Sequence, residues 1–487
     1  MTQKSLKKNT VFSAVKTGAS ILFPLITFPY ISRTLLTDNV GKINFGLSIV
    51  SYFSLIASLG ISTYAIRECS SVKDDKEKLS DVASQIFSIN IITTVIAYLA
   101  LLVTILFWRK LDNYRVLIVI QSMSILATTL GADWLNQAME DFKFITIRAI
   151  TFQFLSLILM FVFVHRPEDY MIYAVICLIS TAGASITNIW YRRRYCKVNF
   201  TLKIEWKRHM TPIIYLFVMV LAQTVFNSVD TTMLGTIHGD YEVGIYGTAH
   251  KILNIINQVI GSLIWVIMPR MSYYFAEKDY DSVNRLLRKV LGFNLMLGLP
   301  CVVGCCMLSE DIILVVAGKS YIEAAPVLQI LMLGFAISLI GGNFLGNAIL
   351  LPSKEERYYM IVCCIAAGVN ILGNYLFIPT YGSIAAAGTT AVCSLTILIF
   401  LFFKVDKNIK LTKVRNIVLG PVVGCIAIAV ICYLCKTIET LWCRVVLSLC
   451  GSAGVYFVSQ IVAKNELIYD VLNGIKKKVG ITSGEKI

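Results

Sequence analysis

The sequence is poor in charge. Charged residues occupy 15% of its 487 positions, against about 25% in an ordinary soluble domain. The acidic residues number 29 and the histidines four, so general acid–base chemistry and imidazole-rich metal sites are thinly supplied. No nucleophile triad, glycine-rich phosphate loop, paired-carboxylate site or zinc spacing occurs, which leaves catalysis without candidate residues. Neither a metal nor a cofactor is expected, and the chain does not read as an enzyme. A membrane glycosyltransferase or polysaccharide polymerase would carry a large outer loop or a soluble domain, and no long polar segment offers either. Of the 14 cysteines, Cys301, Cys305, Cys306, Cys363, Cys364, Cys393, Cys425, Cys432 and Cys450 lie inside apolar runs. They are expected as small buried hydrophobes, not as a disulfide framework. The one CxxC pair, Cys432 and Cys435, has no second pair to complete a metal site.

What the chain has instead is apolar length. Hydrophobic residues make up 57%, and stretches such as Ile91–Trp108 and Ile417–Leu434 contain no formal charge. About 20 apolar residues cross the hydrocarbon of a bilayer. On that measure spans are expected at 11–32, 41–63, 83–107, 115–136, 148–164, 171–191, 211–235, 245–270, 289–309, 326–351, 358–378, 383–404, 416–435 and 441–463. The fold class is therefore an all-α polytopic membrane protein of about 14 transmembrane helices. Lys4, Lys7 and Lys8 precede a run from Val11 past Ile31 with no clear cleavage site, so the first span is expected to be retained.

The net charge of +15 is scattered between spans. That is an orientation signal and not a nucleic-acid surface. Most Lys and Arg residues fall at the N-terminus and in alternate loops, which places both termini in the cytoplasm. The most basic linker, Tyr191–Met210, carries Arg192, Arg193, Arg194, Lys197, Lys203, Lys207 and Arg208. It divides the chain into six spans before and eight after. Asp38-Asn39-Val40-Gly41 opens the second span, and Asp240-Tyr241-Glu242-Val243-Gly244 opens the second span of the later half, as in transporters built from internal repeats. The expected organisation is an N-lobe at 1–191, a cytoplasmic linker at 192–210, a C-lobe at 211–404, and two further helices with a tail at 405–487.

Four spans carry polar stripes at helical spacing. The first has Ser13, Lys16, Thr17 and Ser20. The second has Asn44, Ser48, Ser51 and Ser58, with Lys42 at its outer mouth. The seventh has Gln223, Asn227, Asp230 and Thr231, and the eighth has His250, Lys251, Asn254, Asn257 and Gln258. Serines and threonines in such stripes commonly glue helices together. A lysine inside a span needs water or a partner, so Lys16 and Lys251 are the candidates for a wet cavity. Asp230 is either an ion-pair partner for Lys251 or part of a ligand site, and Arg33 and Lys42 either snorkel at the outer interface or reach the cavity.

These residues sit in a wider pattern. Phe23-Pro24-Leu25-Ile26-Thr27-Phe28-Pro29-Tyr30-Ile31-Ser32-Arg33 resembles the first-helix signature of the polysaccharide and O-antigen flippases. Ala132-Asp133-Trp134-Leu135-Asn136-Gln137 with Phe142-Lys143 is similar to the end of their fourth helix. Asp230 with Met233-Leu234-Gly235, Val243-Gly244-Ile245-Tyr246 and Ala249-His250-Lys251-Ile252 is similar to their seventh and eighth, and Tyr381-Gly382 with Ala385-Ala386-Ala387-Gly388 to their twelfth. The resemblance runs from about residue 5 to 460. The family belongs to the multidrug/oligosaccharidyl-lipid/polysaccharide exporter superfamily. It implies two pseudo-symmetric six-helix lobes around a central cavity, with two C-terminal helices flanking them. It implies a flippase in the bacterial inner membrane that moves an undecaprenyl-diphosphate-linked oligosaccharide by alternating access. The partners it implies are that lipid-linked substrate, membrane lipids, a polysaccharide polymerase and a chain-length regulator. The expected substrate-binding set is Lys16, Arg33, Lys42, Asn44, Asn227, Asp230, Lys251, Asn254 and Gln258. An ion-coupled multidrug exporter of the same superfamily is the alternative, although its first helix would carry a carboxylate where this one has Lys16.

Overall fold

A computed structural model describes residues 6–406, 409, 414–463 and 465; the side chains of residues 6–10, 219, 222, 223, 225–227, 263, 265, 266, 414 and 416 fall outside that description. The described residues form fifteen α-helices joined by short turns and contain no strand. In chain order they are α1 (Leu6–Ser58), α2 (Ile61–Ser71), α3 (Lys76–Phe107), α4 (Arg115–Gly131), α5 (Asp133–Ala138), α6 (Phe142–Phe163), α7 (Tyr170–Tyr191) and α8 (Trp206–Ile237). They continue as α9 (Asp240–Ala276), α10 (Tyr280–Met307), α11 (Ser309–Val316), α12 (Ala324–Ser338), α13 (Glu356–Phe402), α14 (Val414–Cys435) and α15 (Leu441–Val462). The last turns of α12 loosen into a π-helix over Leu339–Leu350.

Ten of the described helices are long and apolar enough to cross a membrane, or eleven if the bent pair Asp240–Ser262 and Ile267–Ala276 is one span. Two of them are too long to be single crossings. α1 has 53 residues, about 80 Å of helix, against about 30 Å of hydrocarbon. It breaks at Leu36, where φ is 63° and ψ is 177°. α13 has 47 residues and breaks at Gly382, with φ 54° and ψ −131°. Each break splits one helix into two membrane-length pieces, an arrangement consistent with about 14 spans.

The chain divides into two compact units, Met1–Gly247 and Thr248–Ile487. In the first, the connections alternate between two ends. At one end, Tyr30 and Asn39 flank the break at Leu36 and both reach the α6–α7 connection: Tyr30 Oη donates to the Val164 carbonyl at 2.6 Å and Asn39 Nδ2 to the Pro167 carbonyl at 2.8 Å. Tyr114 Oη donates to Asp240 there at 2.6 Å, and Lys110 donates to the Thr236 carbonyl. At the other end, α2, α5 and the segment after α7 bury one apolar cluster around Tyr64, Leu79, Ile86, Trp134, Leu135 and Tyr195.

The basic linker is held within that second end. After Arg192–Arg194 it runs extended along α3, whose small polar side chains recur every fourth residue. Ser80 Oγ donates to the Lys197 carbonyl at 2.5 Å, Asn199 N–H to Ser84 Oγ at 3.1 Å, and Thr201 N–H to Ser88 Oγ at 2.8 Å. Glu205 N–H adds a bond to Gln85 Oε1 at 3.0 Å. A strand-like segment alone against a helix has no ladder partner, so side-chain hydroxyls satisfy its backbone instead.

In the second unit α9, α10, α13 and the π-helical turns share a core that includes Met271, Leu287, Leu291, Phe344 and Leu401. The last two helices are tied to this unit. Arg444 of α15 makes a bidentate pair with the buried carboxylate of Asp311 in α11, at 2.5–3.0 Å, and Tyr456 Oη donates to the Met296 carbonyl at 2.6 Å. A guanidinium fork matched to a carboxylate is among the strongest polar contacts a protein can make. Among the described residues no two cysteines are joined by a disulfide.

Candidate functional site

The polar stripe of the first span faces outward. Ser13, Lys16, Thr17 and Ser20 are all exposed, and Thr17 and Ser20 turn their hydroxyls back onto the carbonyls of Ser13 and Thr17. That back-bonding hides their polarity and leaves the ammonium of Lys16 as the charged group the stripe presents. The equivalent stripe on α9 has the same form. Asn254 and Gln258 are exposed one turn apart, Lys251 is half-buried on the same face, and Asn254 bonds His250 Nδ1 at 3.2 Å. Asn257 accepts from Asn343 Nδ2 at 3.3 Å, which pins the neighbouring face to the π-helical turns.

The second stripe proves to be a helix seam. Ser51 Oγ bonds Ser228 Oγ at 2.9 Å, Thr232 Oγ1 donates to Ser48 Oγ at 3.0 Å, and Tyr52 Oη lies 3.2 Å from Thr232 Oγ1. Asn44 packs against Gly247, where an added Cβ would come within 2.5 Å of its amide. The hydroxyls join α1 to α8, and the small residue Gly247 lets the start of α9 approach α1 closely, as in membrane bundles generally. Asp230 is buried and accepts from Tyr246 Oη at 2.5 Å. The side chains of Gln223 and Asn227 lie outside the described ones.

Arg33 and Lys42 behave differently from each other. Lys42 is half-buried, bonds Asn39 Oδ1 at 3.2 Å and sits 5.2 Å from the centre of the Tyr170 ring. It braces the turn after Leu36 against α7. Arg33 is exposed and lines an open cavity of about 700 Å³ with Tyr30, Thr34, Leu36 and His165. Nη1 of Arg33 donates to the Pro29 carbonyl at 2.9 Å, which steadies the guanidinium along the cavity wall. The rim is fixed by Asp169, whose carboxylate accepts the backbone N–H groups of His165 and Arg166 at 2.9 Å each. Those two bonds hold Asp169 below the usual carboxylate range. Tyr30, His165 and Tyr246 were not among the sequence candidates. Tyr30 and His165 meet only because the α6–α7 connection folds over the first helix, and no spacing signals that.

A second, smaller pocket of about 200 Å³ lies at the opposite end of the same unit. It is walled by α1, α2, α3, α4 and α5, with Asp133 and Trp134 on its floor. Among the described residues no cluster of His, Cys, Asp or Glu is placed to hold a metal ion.

The described residues, all helix and connecting turn, with two long, internally broken helices of membrane length, define a multi-pass membrane protein in class. The chain belongs to the polysaccharide biosynthesis protein family, whose model matches residues 6–275, and with it to the exporter superfamily that the sequence resembles. The MatE family model also matches, over residues 216–376. Among curated relatives, a candidate O-antigen transporter of Escherichia coli (strain K12) is 24% identical over 410 residues, covering 83% of this chain and 98% of that one. The capsular polysaccharide biosynthesis protein CapF of Staphylococcus aureus is 25% identical over 408 residues, covering 81% and 98%. Among solved structures the fold is similar to the lipid II flippase MurJ in an inward closed conformation, with a TM-score of 0.73 at 16% identity, over 94% of this chain and 100% of that one.

Proposed function

We propose that this protein is an inner-membrane flippase that carries an undecaprenyl-diphosphate-linked oligosaccharide, an O-antigen or capsule repeat unit, from the cytoplasmic to the outer leaflet by alternating access. The observation that carries this reading is the family match over residues 6–275. The names of the relatives, O-antigen transport and capsular polysaccharide biosynthesis, support the substrate class. The two lobes would be residues 1–191 and 211–404, and both termini would be cytoplasmic. Lys16 and Lys251 suit a diphosphate as compact point charges, and Asn254 and Gln258 suit sugar hydroxyls. Arg33, in its open cavity, would meet the diphosphate at the outer end.

Deleting the gene should stop surface polysaccharide from appearing and leave lipid-linked repeat units in the inner leaflet, with both defects reversed by a plasmid copy. Undiminished export in a deletion strain that has no second flippase would refute the proposal. The match of the MatE model to residues 216–376 favours a second reading, an ion-coupled exporter of organic cations. That reading requires overexpression to raise resistance to such compounds, and unchanged resistance disposes of it.

A further inference from the structure

The pocket of about 200 Å³ in the first unit has no role in the diphosphate chemistry assigned to Lys16 and Arg33. We infer that it is a subsite for a single uncharged sugar ring. The inference rests on the flippase reading and names where one sugar of the cargo would be held.

Charge decides the ligand class. Among the described residues the only carboxylate on the wall is Asp133, and its Oδ2 is paired with Arg148 Nη2 at 2.8 Å. Arg148 is itself buried beside the Phe144 ring. The pair is internally neutral, so the pocket offers no net charge to attract a phosphate or a metal cation. What remains is neutral hydrogen-bonding surface: Ser54, Ser58, Asn90 and Thr128 line it. Asn90 spends its amide N–H on the Ala57 carbonyl at 2.8 Å, which leaves Oδ1 as an acceptor.

Among the described residues, two groups at the floor have no hydrogen-bond partner. Asp133 Oδ1 and the indole N–H of Trp134 are buried and unbonded, and Trp134 is 4% exposed. Native proteins rarely leave such groups unsatisfied without a use for them. An acceptor beside a donor on adjacent residues matches the alternating hydroxyls of a sugar. The backbone is bent to bring them there. Ala132 separates α4 from α5 in the left-handed region, at φ 50° and ψ 51°, a conformation rare for a residue with a Cβ and concentrated at functional sites. The volume lies below the ~300–1,000 Å³ of a drug-sized site, which suits one ring and not an oligosaccharide.

The test uses the full chain in nanodiscs, titrated with glucose, galactose, N-acetylglucosamine and rhamnose, with saturable binding read by ligand-observed NMR. At least one sugar should bind in the millimolar range. Trp134→Phe should weaken that binding about tenfold while keeping the ring, and Thr128→Leu at the exposed rim should abolish it with the protein still monodisperse. Sodium chloride and inorganic phosphate should not compete. Binding of none of the four, binding indifferent to both variants, or displacement by either ion would overturn the inference. Export assayed alongside separates the two claims: export by the wild type without sugar binding removes the subsite and keeps the flippase, whereas absence of export removes the flippase reading whatever the sugars do.

Discussion

At the residue scale, the intramembrane cations and the buried acid carry different expectations. Lys16 is exposed on its stripe, so Lys16→Ala removes charge without opening a cavity in a core. Export should fall at least tenfold while the amount of inserted protein stays within twofold, measured by surface polysaccharide and immunoblot. Lys251→Ala should do likewise, and Lys436→Ala, beyond the end of α14, should leave export unchanged. A loss of abundance in proportion to activity would assign Lys16 to structure. Asp230 is buried against Tyr246 at 2.5 Å, and Asn can accept the same hydroxyl hydrogen. Asp230→Asn is therefore expected to retain most transport, whereas Tyr246→Phe removes a bond from a buried carboxylate, worth about 1–3 kcal/mol, and should lower thermal stability in detergent. The stripes themselves were legible from spacing. Residue chemistry already set the serines apart as helix glue and Lys16 and Lys251 as cavity candidates, but which partners the serines engage was not legible: only contacts show Ser48 and Ser51 against Thr232 and Ser228.

At the element scale, the two helix breaks make opposite predictions. Gly382 has φ 54° with ψ −131°, a region a side chain scarcely enters, so Gly382→Ala should destabilise by about 1–3 kcal/mol and depress the melting temperature. Leu36 has φ 63°, so Leu36→Gly should be neutral or stabilising in the same melt, because the strain of a Cβ is removed. The second element with a testable chemistry is the start of α8. His209 is buried, its Nε2 lies 3.1 Å from Gln85 Oε1 and its Nδ1 2.7 Å from Tyr64 Oη. Gln85 Oε1 can only accept, so in the neutral ring Nε2 carries the hydrogen and Nδ1 accepts from Tyr64. Burial, with Arg208 alongside, lowers the His209 pKa below its ordinary value. A lowered native pKa means that the unfolded chain takes up the proton first. The stability from this contact is complete above about pH 6.5 and is lost as pH falls towards the native value. Melting curves between pH 8 and pH 5 should show that loss in the wild type and a shallower one in His209→Gln.

At the scale of the whole molecule, charge sets both orientation and energy. Reporter fusions at Lys203 and at each terminus should all report the cytoplasm, and a periplasmic signal at Lys203 would contradict the distribution of Lys and Arg. A diphosphate with about two negative charges gains roughly 2.3 kcal/mol per charge for each 100 mV on leaving a negative interior. Transport in proteoliposomes should therefore follow membrane potential without a coupled ion. Collapse of transport on removing a Na⁺ or pH gradient at constant potential, together with an inactive Asp230→Asn, would make the protein an ion-coupled antiporter.

The sequence by itself determined the class, because apolar runs of membrane length leave the chain no other solvent, and a stretch of some 20 such residues needs no tertiary partner to be recognised. It determined the family too, through short motifs whose order survives in the chain. Tertiary structure alone decided what lies between elements distant in sequence. The Tyr191–Met210 linker read as a polar join between two halves, and the structure adds that it is bonded along α3; hydroxyls repeating every fourth residue on one helix carry no mark of which backbone they will bond. The cavity at Arg33 forms only where the α6–α7 connection crosses the first helix, and the pocket at Asp133 and Trp134 only where five helices meet. Burial and hydrogen bonding depend on what is brought alongside, and the chain reveals that only by folding.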